Sequence, residues 1–270
     1  HFGSSHLAQV IVRRALTLCE AMPLGKVRCV VFDLDDTLWN TIQTLDSAHE
    51  EMAAALLQQC PEVGQRLADV PEFRKEMKAT MAEYPEKTHD FTFLRRETLR
   101  RVSGSDSIAD EVFKAWFQKR NSPVFFPGAL DALRMLRAAD LKIGTLTDGN
   151  ADPRTIEGLM DLVDFCVSAE EAGAPKPDRR TFALCESKSA CAPDELLMVG
   201  DSAQKDVAGA KAAGWRAIWV RPPQTGGPPV LGSQYDLSGG QVVDGEGLAD
   251  ASVDHVREVE GILRSWASAL

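Results

Sequence analysis

The sequence lacks any apolar run approaching the ~20 residues needed to cross a bilayer, so no membrane association is expected. It also lacks an excess of cations: 30 Lys and Arg face 40 Asp and Glu, for a net charge of −10. Following a nucleic-acid backbone takes clustered positive charge, so nucleic acid is not expected as the main partner. A small anionic ligand remains compatible, because charge local to a pocket matters more there than the total. Paired cysteines are missing too. Cys19, Cys29, Cys60, Cys166, Cys185 and Cys191 are scattered without a CxxC spacing. That pattern argues against a disulfide framework or a zinc site and predicts reduced thiols in a cytoplasmic setting. No internal repeat is present. What remains is an ordinary globular composition, 44% hydrophobic and 26% charged over 270 residues. That length is enough for one sizeable domain or for a core domain and a cap.

The first residue is His rather than Met, which suggests a trimmed or tagged start. Ser4 to Cys19 contains Arg13 and Arg14 but no acid. Organelle transit remnants share that pattern with short helices lying on a core. Residues 1–21 are therefore read as an N-terminal extension. The cytoplasm is the expected compartment. A plastid or other organelle is the alternative if the extension is a transit remnant.

Five short apolar runs read as strands: Val27–Phe32, Leu141–Leu146, Val163–Val167, Leu196–Val199 and Ala217–Val220. Several are apolar at consecutive positions, as strands buried on both faces are. Between the later ones, Ala129–Ala139, Arg179–Ser187 and Asp206–Ala213 read as helices. This alternation predicts an α/β fold with a doubly wound parallel sheet. The stretch from Thr41 to Ser122 differs. It has no strand-like run, and four apolar stripes recur at helical spacing: Ile42 to Leu56, Phe73 to Tyr84, Phe91 to Val102 and Ile108 to Trp116. Four helices inserted after the first strand predict a helical-bundle cap domain over 41–122. The core is then built from 22–40 and 123–270. Ser122–Pro123 and Pro127–Gly128 bracket the return to it and suit a hinge. Pro222–Gly247 reads as a flexible surface loop. Asp250–Leu270 reads as a closing amphipathic helix through Val256, Val259 and Leu263.

Polar residues interrupt the apolar runs at telling places. The first strand ends in Asp33-Leu34-Asp35, the second in Thr147-Asp148-Gly149-Asn150 and the fourth in Gly200-Asp201, with Asp206 following. A loop after the third strand holds Lys176. Ligands of open parallel sheets bind beyond the carboxyl ends of the strands, so these segments are expected to converge. Asp33, Asp35 and Asp201 make a hard oxygen-rich site suited to Mg²⁺. Asp33 is then placed to attack phosphorus, with Asp35 as acid and base. Thr147, the amide of Asp148 and Lys176 can stabilise phosphate oxygens. Asp206 would hold Lys176 or support the metal's waters. Each segment alone reads equally as a turn, a helix cap or a surface lysine. Their joint occurrence, in order and each behind an apolar run, is what separates the readings.

Taken together, VVFDLDDTLW, TLTDGN, GAPKPD and LLMVGDSAQKD resemble the motifs of the haloacid dehalogenase superfamily, over roughly Val27 to Arg221 with a tail to Leu263. The insertion after the first strand is similar to that of its helical-cap subclass. The resemblance implies Asp33 as nucleophile and Asp35 as acid/base. It implies Thr147 and Lys176 as phosphate ligands. It also implies Mg²⁺ held by Asp33, Asp201 and the backbone carbonyl of Asp35. Asp148 stands where Asn is more usual, and its side chain is expected to point away from the phosphate. The dehalogenases and phosphonate-cleaving enzymes of the superfamily lack the second Asp, so Asp35 favours phosphoester chemistry. Phosphomutases keep it, and a catalytically silent binding protein on the same fold also stays open. TDGNADP, WVRPPQ and HDFTFLRRETLRR look like a branch of phosphatases acting on phosphoribitylaminouracil, a riboflavin precursor, and on FMN. Arg95, Arg96, Arg100 and Arg101 either meet a second group of the substrate or form a solvated helix face. Trp39 and Phe125–Phe126 either pack the hinge or stack on a ring. The expected protein is a monomer or homodimer acting on a small-molecule phosphate ester.

Overall fold

Cys29–Phe32 forms β1, and all of its side chains are buried. Successive residues of a strand point to opposite faces. Val30 and Phe32 therefore enter one apolar layer with Leu133, Leu136, Ile143 and Leu263. Cys29 and Val31 enter a second, with Phe182, Met198 and Trp215. A strand covered on both faces has no polar side, which is why its sequence is apolar throughout. The computed structural model describes residues 26–222 and 245–268. The readings of residues 1–21 and of most of the 222–247 loop lie outside these. Around β1 stand β2 (Lys142–Thr147), β3 (Phe165–Ser168), β4 (Leu196–Gly200), β5 (Arg216–Val220) and β6 (Ala251–Val253). All pair in parallel, in the order β3-β2-β1-β4-β5-β6. The chain builds out from β1 to β3 and returns to β4 on the other side. Such a reversal opens a crevice at the carboxyl ends of the two central strands.

Five helices form the insertion that follows β1: α1 (Thr41–Gln59), α2 (Pro61–Leu67), α3 (Val70–Glu83), α4 (Phe91–Ser103) and α5 (Asp106–Arg120). The side chains of Asn40, Asp90 and Ser105 accept from the amides of Gln43, Phe93 and Ile108. They satisfy N–H groups that a helix start leaves free. Gly104, at φ 69°, ends α4 in the left-handed region that glycine tolerates best. Met52, Leu56, Phe73, Met77, Leu94, Val112 and Trp116 close an apolar cluster of their own, distinct from the two sheet layers. The sequence showed four of these helices. α2 spans 7 residues, too short to display a stripe. Gly64 lies so near α1 that a Cβ would fall 2.3 Å from the Leu57 nitrogen.

Past the insertion, α6 (Ala129–Ala138) packs on the first sheet layer and α7 (Arg179–Ser189) on the second. The segment after β4 begins as a π-helical turn, Ala203–Ala208, and tightens into α8 (Gly209–Ala212). The reading of Asp250–Leu270 as one helix needs correction. Ala251–Val253 adds β6 to the sheet, and α9 starts only at Val259. Asp250 anchors that strand: its amide donates to the Ala217 carbonyl (2.9 Å) and its carboxylate accepts from the Ala217 amide (2.8 Å). A three-residue strand shows no periodicity of its own. No helix among the described residues is long and apolar enough to cross a membrane.

Candidate active site

Asp33 is the first residue beyond β1. Its amide still donates to the Val199 carbonyl of β4 (2.9 Å), which fixes it at the crevice, and it is only 6% exposed. Lys176 reaches the same place from the loop after β3. Its ammonium donates to Asp33 Oδ1 (2.5 Å), Asp206 Oδ1 (2.6 Å) and the Leu146 carbonyl (3.1 Å). A lysine has three N–H bonds, and all are used. Asp206 lies in the π-helical turn, where its Oδ2 accepts from the Ser202 amide (2.9 Å). Gly200 leaves room for it, since a Cβ there would fall 2.3 Å from that oxygen. The hydroxyl of Thr37 accepts from the Asp201 amide (3.2 Å) and lies 3.4 Å from both Asp33 Oδ2 and Asp201 Oδ1.

Carboxylate oxygens of Asp33, Asp201 and Asp206 fall within 4.8 Å of one another. Burial is the main reason Asp33 is pushed up to about 7; Lys176 opposes the shift and Asp206 adds to it. Burial also lifts Asp201 well above the usual carboxylate range, helped by Asp33 and Asp206. For Lys176, burial disfavours the charge, yet Asp206, Asp33 and Asp148 hold the ammonium well above the ordinary lysine value. Three acids crowd around an ammonium that bridges only Asp33 and Asp206, and their mutual repulsion when ionised is the condition under which a hard cation is bound.

Asp35 does not join this cluster with its side chain. Trp39 Nε1 donates to its Oδ1 (2.9 Å) and Arg120 Nη2 to its Oδ2 (2.5 Å). In a regular strand Asp33 and Asp35 would share a face. The chain instead turns at Asp36, which adopts φ 60°, and a bridge pairs Asp35 with Trp39. Two carboxylates two residues apart thus gain different surroundings. Thr147 is buried at the end of β2, where its hydroxyl accepts from the Gly149 amide (3.0 Å). The Asp148 carboxylate accepts from the Lys176 amide (2.8 Å) and pairs with the Lys205 ammonium (3.2 Å), so it braces the lysine loop.

Thr37, Trp39 and Arg120 were not assigned to the site from sequence. Thr37 stands inside the DLDDTLW run and could have been found by its place in the turn. Trp39 was read through its ring, which is fully buried and meets Phe125 edge-on, rather than through its N–H. Arg120 had no local signal, being 85 residues from the aspartate it contacts. On α4, Arg96 pairs with Asp110, Arg100 with Glu97 and Arg101 with Glu83. The Arg95 guanidinium lies 3.8 Å from the centre of the Trp116 ring. These contacts lie within the inserted helices.

The chain is similar to known proteins. A family model described as haloacid dehalogenase-like hydrolase matches residues 27–214. Phosphoserine phosphatase of Thermus thermophilus is 36% identical over 129 residues, 46% of this chain and 52% of that protein. The 5-amino-6-(5-phospho-D-ribitylamino)uracil phosphatase YigB of Escherichia coli is 28% identical over 208 residues, 74% of this chain and 86% of its own length. Among solved structures, a 2-haloacid dehalogenase from Pseudomonas syringae pv. Tomato superposes with a TM-score of 0.73 at 28% identity, covering 89% of this chain and 99% of that one. With the family model spanning well over half of the sequence and all four site segments inside it, the chain belongs to the haloacid dehalogenase-like hydrolases.

Proposed function

We propose that this hydrolase is a Mg²⁺-dependent phosphatase of small-molecule phosphomonoesters that works through an aspartyl-phosphate on Asp33. The observation that carries the reading is the Lys176 ammonium bonded at once to Asp33 and Asp206 beside Asp201, at the crevice between β1 and β4. The donor set suits Mg²⁺, being hard oxygen ligands whose burial and mutual repulsion a divalent cation relieves. Asp33, Asp201 and the backbone carbonyl of Asp35 would hold the ion. Asp206, tied to Lys176 and the Ser202 amide, would support from behind. When bound, the cation offsets carboxylate charge and draws electron density from the phosphate oxygens.

The chain's own groups supply the rest. Asp33 attacks phosphorus opposite the leaving group. Asp35 gives a proton to the departing oxygen and later takes one from water. Thr147, the Asp148 amide and the Lys176 ammonium stabilise the equatorial oxygens. Helices α1–α5, with a core of their own, act as a cap over the crevice and filter substrates. FMN and 5-amino-6-(5-phospho-D-ribitylamino)uracil are the preferred substrates, a choice supported by the match to YigB and by the TDGNADP and WVRPPQ segments. A small phosphorylated amino acid is the second reading, favoured by the higher local identity to a phosphoserine phosphatase. A phosphate-release panel with and without Mg²⁺, run on wild type and Asp33→Asn, tests both. Turnover should require Mg²⁺ and Asp33. Equal inactivity of the two proteins across the panel would remove the enzyme reading. A hundredfold lead in kcat/KM, roughly, for hexose phosphates or phosphoserine over FMN would overturn the substrate choice.

A further inference from the structure

Arg120 is the last residue of α5 and is 1% exposed. Its Nη2 donates to Asp35, while its buried Nε and Nη1 have no hydrogen-bond partner among the described residues. Burying a guanidinium with unused N–H groups lowers stability. Selection for packing alone would place an apolar side chain here, so the contact with Asp35 is the feature that needs a reason. The second Asp35 oxygen accepts from Trp39, so the carboxylate is gripped at both ends. Gly149 makes the approach possible: a Cβ there would lie 2.8 Å from Asp35 Oδ2 and 3.1 Å from Arg120 Nη2. The contact therefore joins the end of the inserted helices, the turn after β1 and the Thr147 loop.

We propose that Arg120 is a positioning residue: seated with the end of α5, it holds Asp35 in the orientation that delivers a proton to the leaving oxygen. The inference rests on the phosphatase reading above. In that step an Asp33 oxygen forms the new bond to phosphorus. The bond from phosphorus to the leaving oxygen breaks, its electron pair stays on that oxygen, and the Asp35 carboxyl proton joins it. Each carboxyl oxygen has a second lone pair, so Arg120 and Trp39 stay bonded while one oxygen carries the proton. A leaving group that departs as a stable anion, such as 4-nitrophenolate, has little need of the proton, whereas phenolate and alkoxides need it. Loss of Arg120 therefore slows poor leaving groups selectively. Loss of a merely structural support slows all of them alike.

The test is kcat/KM for substituted phenyl phosphates, from 4-nitrophenyl to phenyl, which share one shape and differ in leaving group. Wild type, Arg120→Met, Arg120→Lys, Gly149→Ala and Asp35→Asn are compared with Mg²⁺ present. The ratio of phenyl to 4-nitrophenyl phosphate should fall about tenfold or more in Arg120→Met, Gly149→Ala and Asp35→Asn, and recover in part in Arg120→Lys. A parallel loss on both substrates in Arg120→Met overturns the assignment and leaves the phosphatase reading standing. Should Arg120→Met fail to fold, an unchanged ratio in Gly149→Ala has the same consequence. Absence of Asp33-dependent turnover in wild type removes both.

Discussion

Replacing Lys176 with Met tests whether one buried ammonium holds the acidic crevice together. The residue is 4% exposed and its three N–H bonds end on Asp33, Asp206 and the Leu146 carbonyl. Met keeps most of the volume but leaves two buried carboxylates without their counter-charge. Removing one partner of a buried pair costs about 3–5 kcal/mol. In a chain of this size each kcal/mol shifts Tm by about 2–4 °C, so the loss is roughly 6–20 °C. The deficit also has a sign in pH. Asp33 is already raised from 3.8 to about 7, and removing Lys176 takes away the charge that opposes the rise. A carboxyl whose folded value is raised adds stability at low pH and loses it as pH climbs through that value. The deficit should therefore be largest above about pH 7 and narrow on acidification. Thermal unfolding of metal-free wild type, Lys176→Met, Asp206→Asn and the double variant gives the numbers. The double variant should destabilise by at least about 1 kcal/mol less than the two single changes summed. A Lys176→Met protein within about 2 °C of wild type at neutral pH, or one whose deficit widens in acid, would refute the reasoning.

Three other outcomes are expected. Mg²⁺ should raise Tm more at about pH 8 than at about pH 5.5, because the raised Asp33 and Asp201 carboxyls repel each other most where they ionise; fluorimetry with EDTA as the reference checks this, and equal shifts at both values would count against metal binding by these acids. Gly200→Ala places a Cβ 2.3 Å from Asp206 Oδ2, so it should lower kcat about tenfold or more by displacing the Lys176 support while phosphate-ester KM changes little, as steady-state kinetics would show. Arg96→Gln and Arg100→Gln break exposed pairs with Asp110 and Glu97, so each should alter stability by less than about 1 kcal/mol in chemical denaturation; a tenfold rise in KM for FMN in either would instead restore those arginines as substrate contacts.

What could be read from the sequence depended on whether a backbone rule or a side-chain reach placed each residue. β1 is legible because a strand covered on both faces must be apolar throughout, and Cys29 to Phe32 is. Asp33, Thr147 and Asp201 follow from that, since each stands where a buried strand stops and parallel pairing brings those ends to one crevice. β6 and α2 escaped because three and seven residues carry too little pattern. Asp35 is the instructive case. Its position was legible, but its surroundings were not. They depend on a turn at Asp36 that frees it from the Asp33 cluster, on an indole N–H four residues on and on a guanidinium from the far end of the insertion. Periodicity locates α5 as far as Trp116, yet it cannot say that the final arginine, four residues on, folds back into the core rather than into water. Shape contributes to that choice: the absent Cβ of Gly149 leaves room where Arg120 Nη2 meets Asp35 Oδ2. The residues proposed to perform a step are thus written at strand ends, whereas the one proposed to aim Asp35 is written in the fit between elements. The seat of the inserted helices and the orientation of Asp35 are consequently one structural variable, since Arg120 belongs to both.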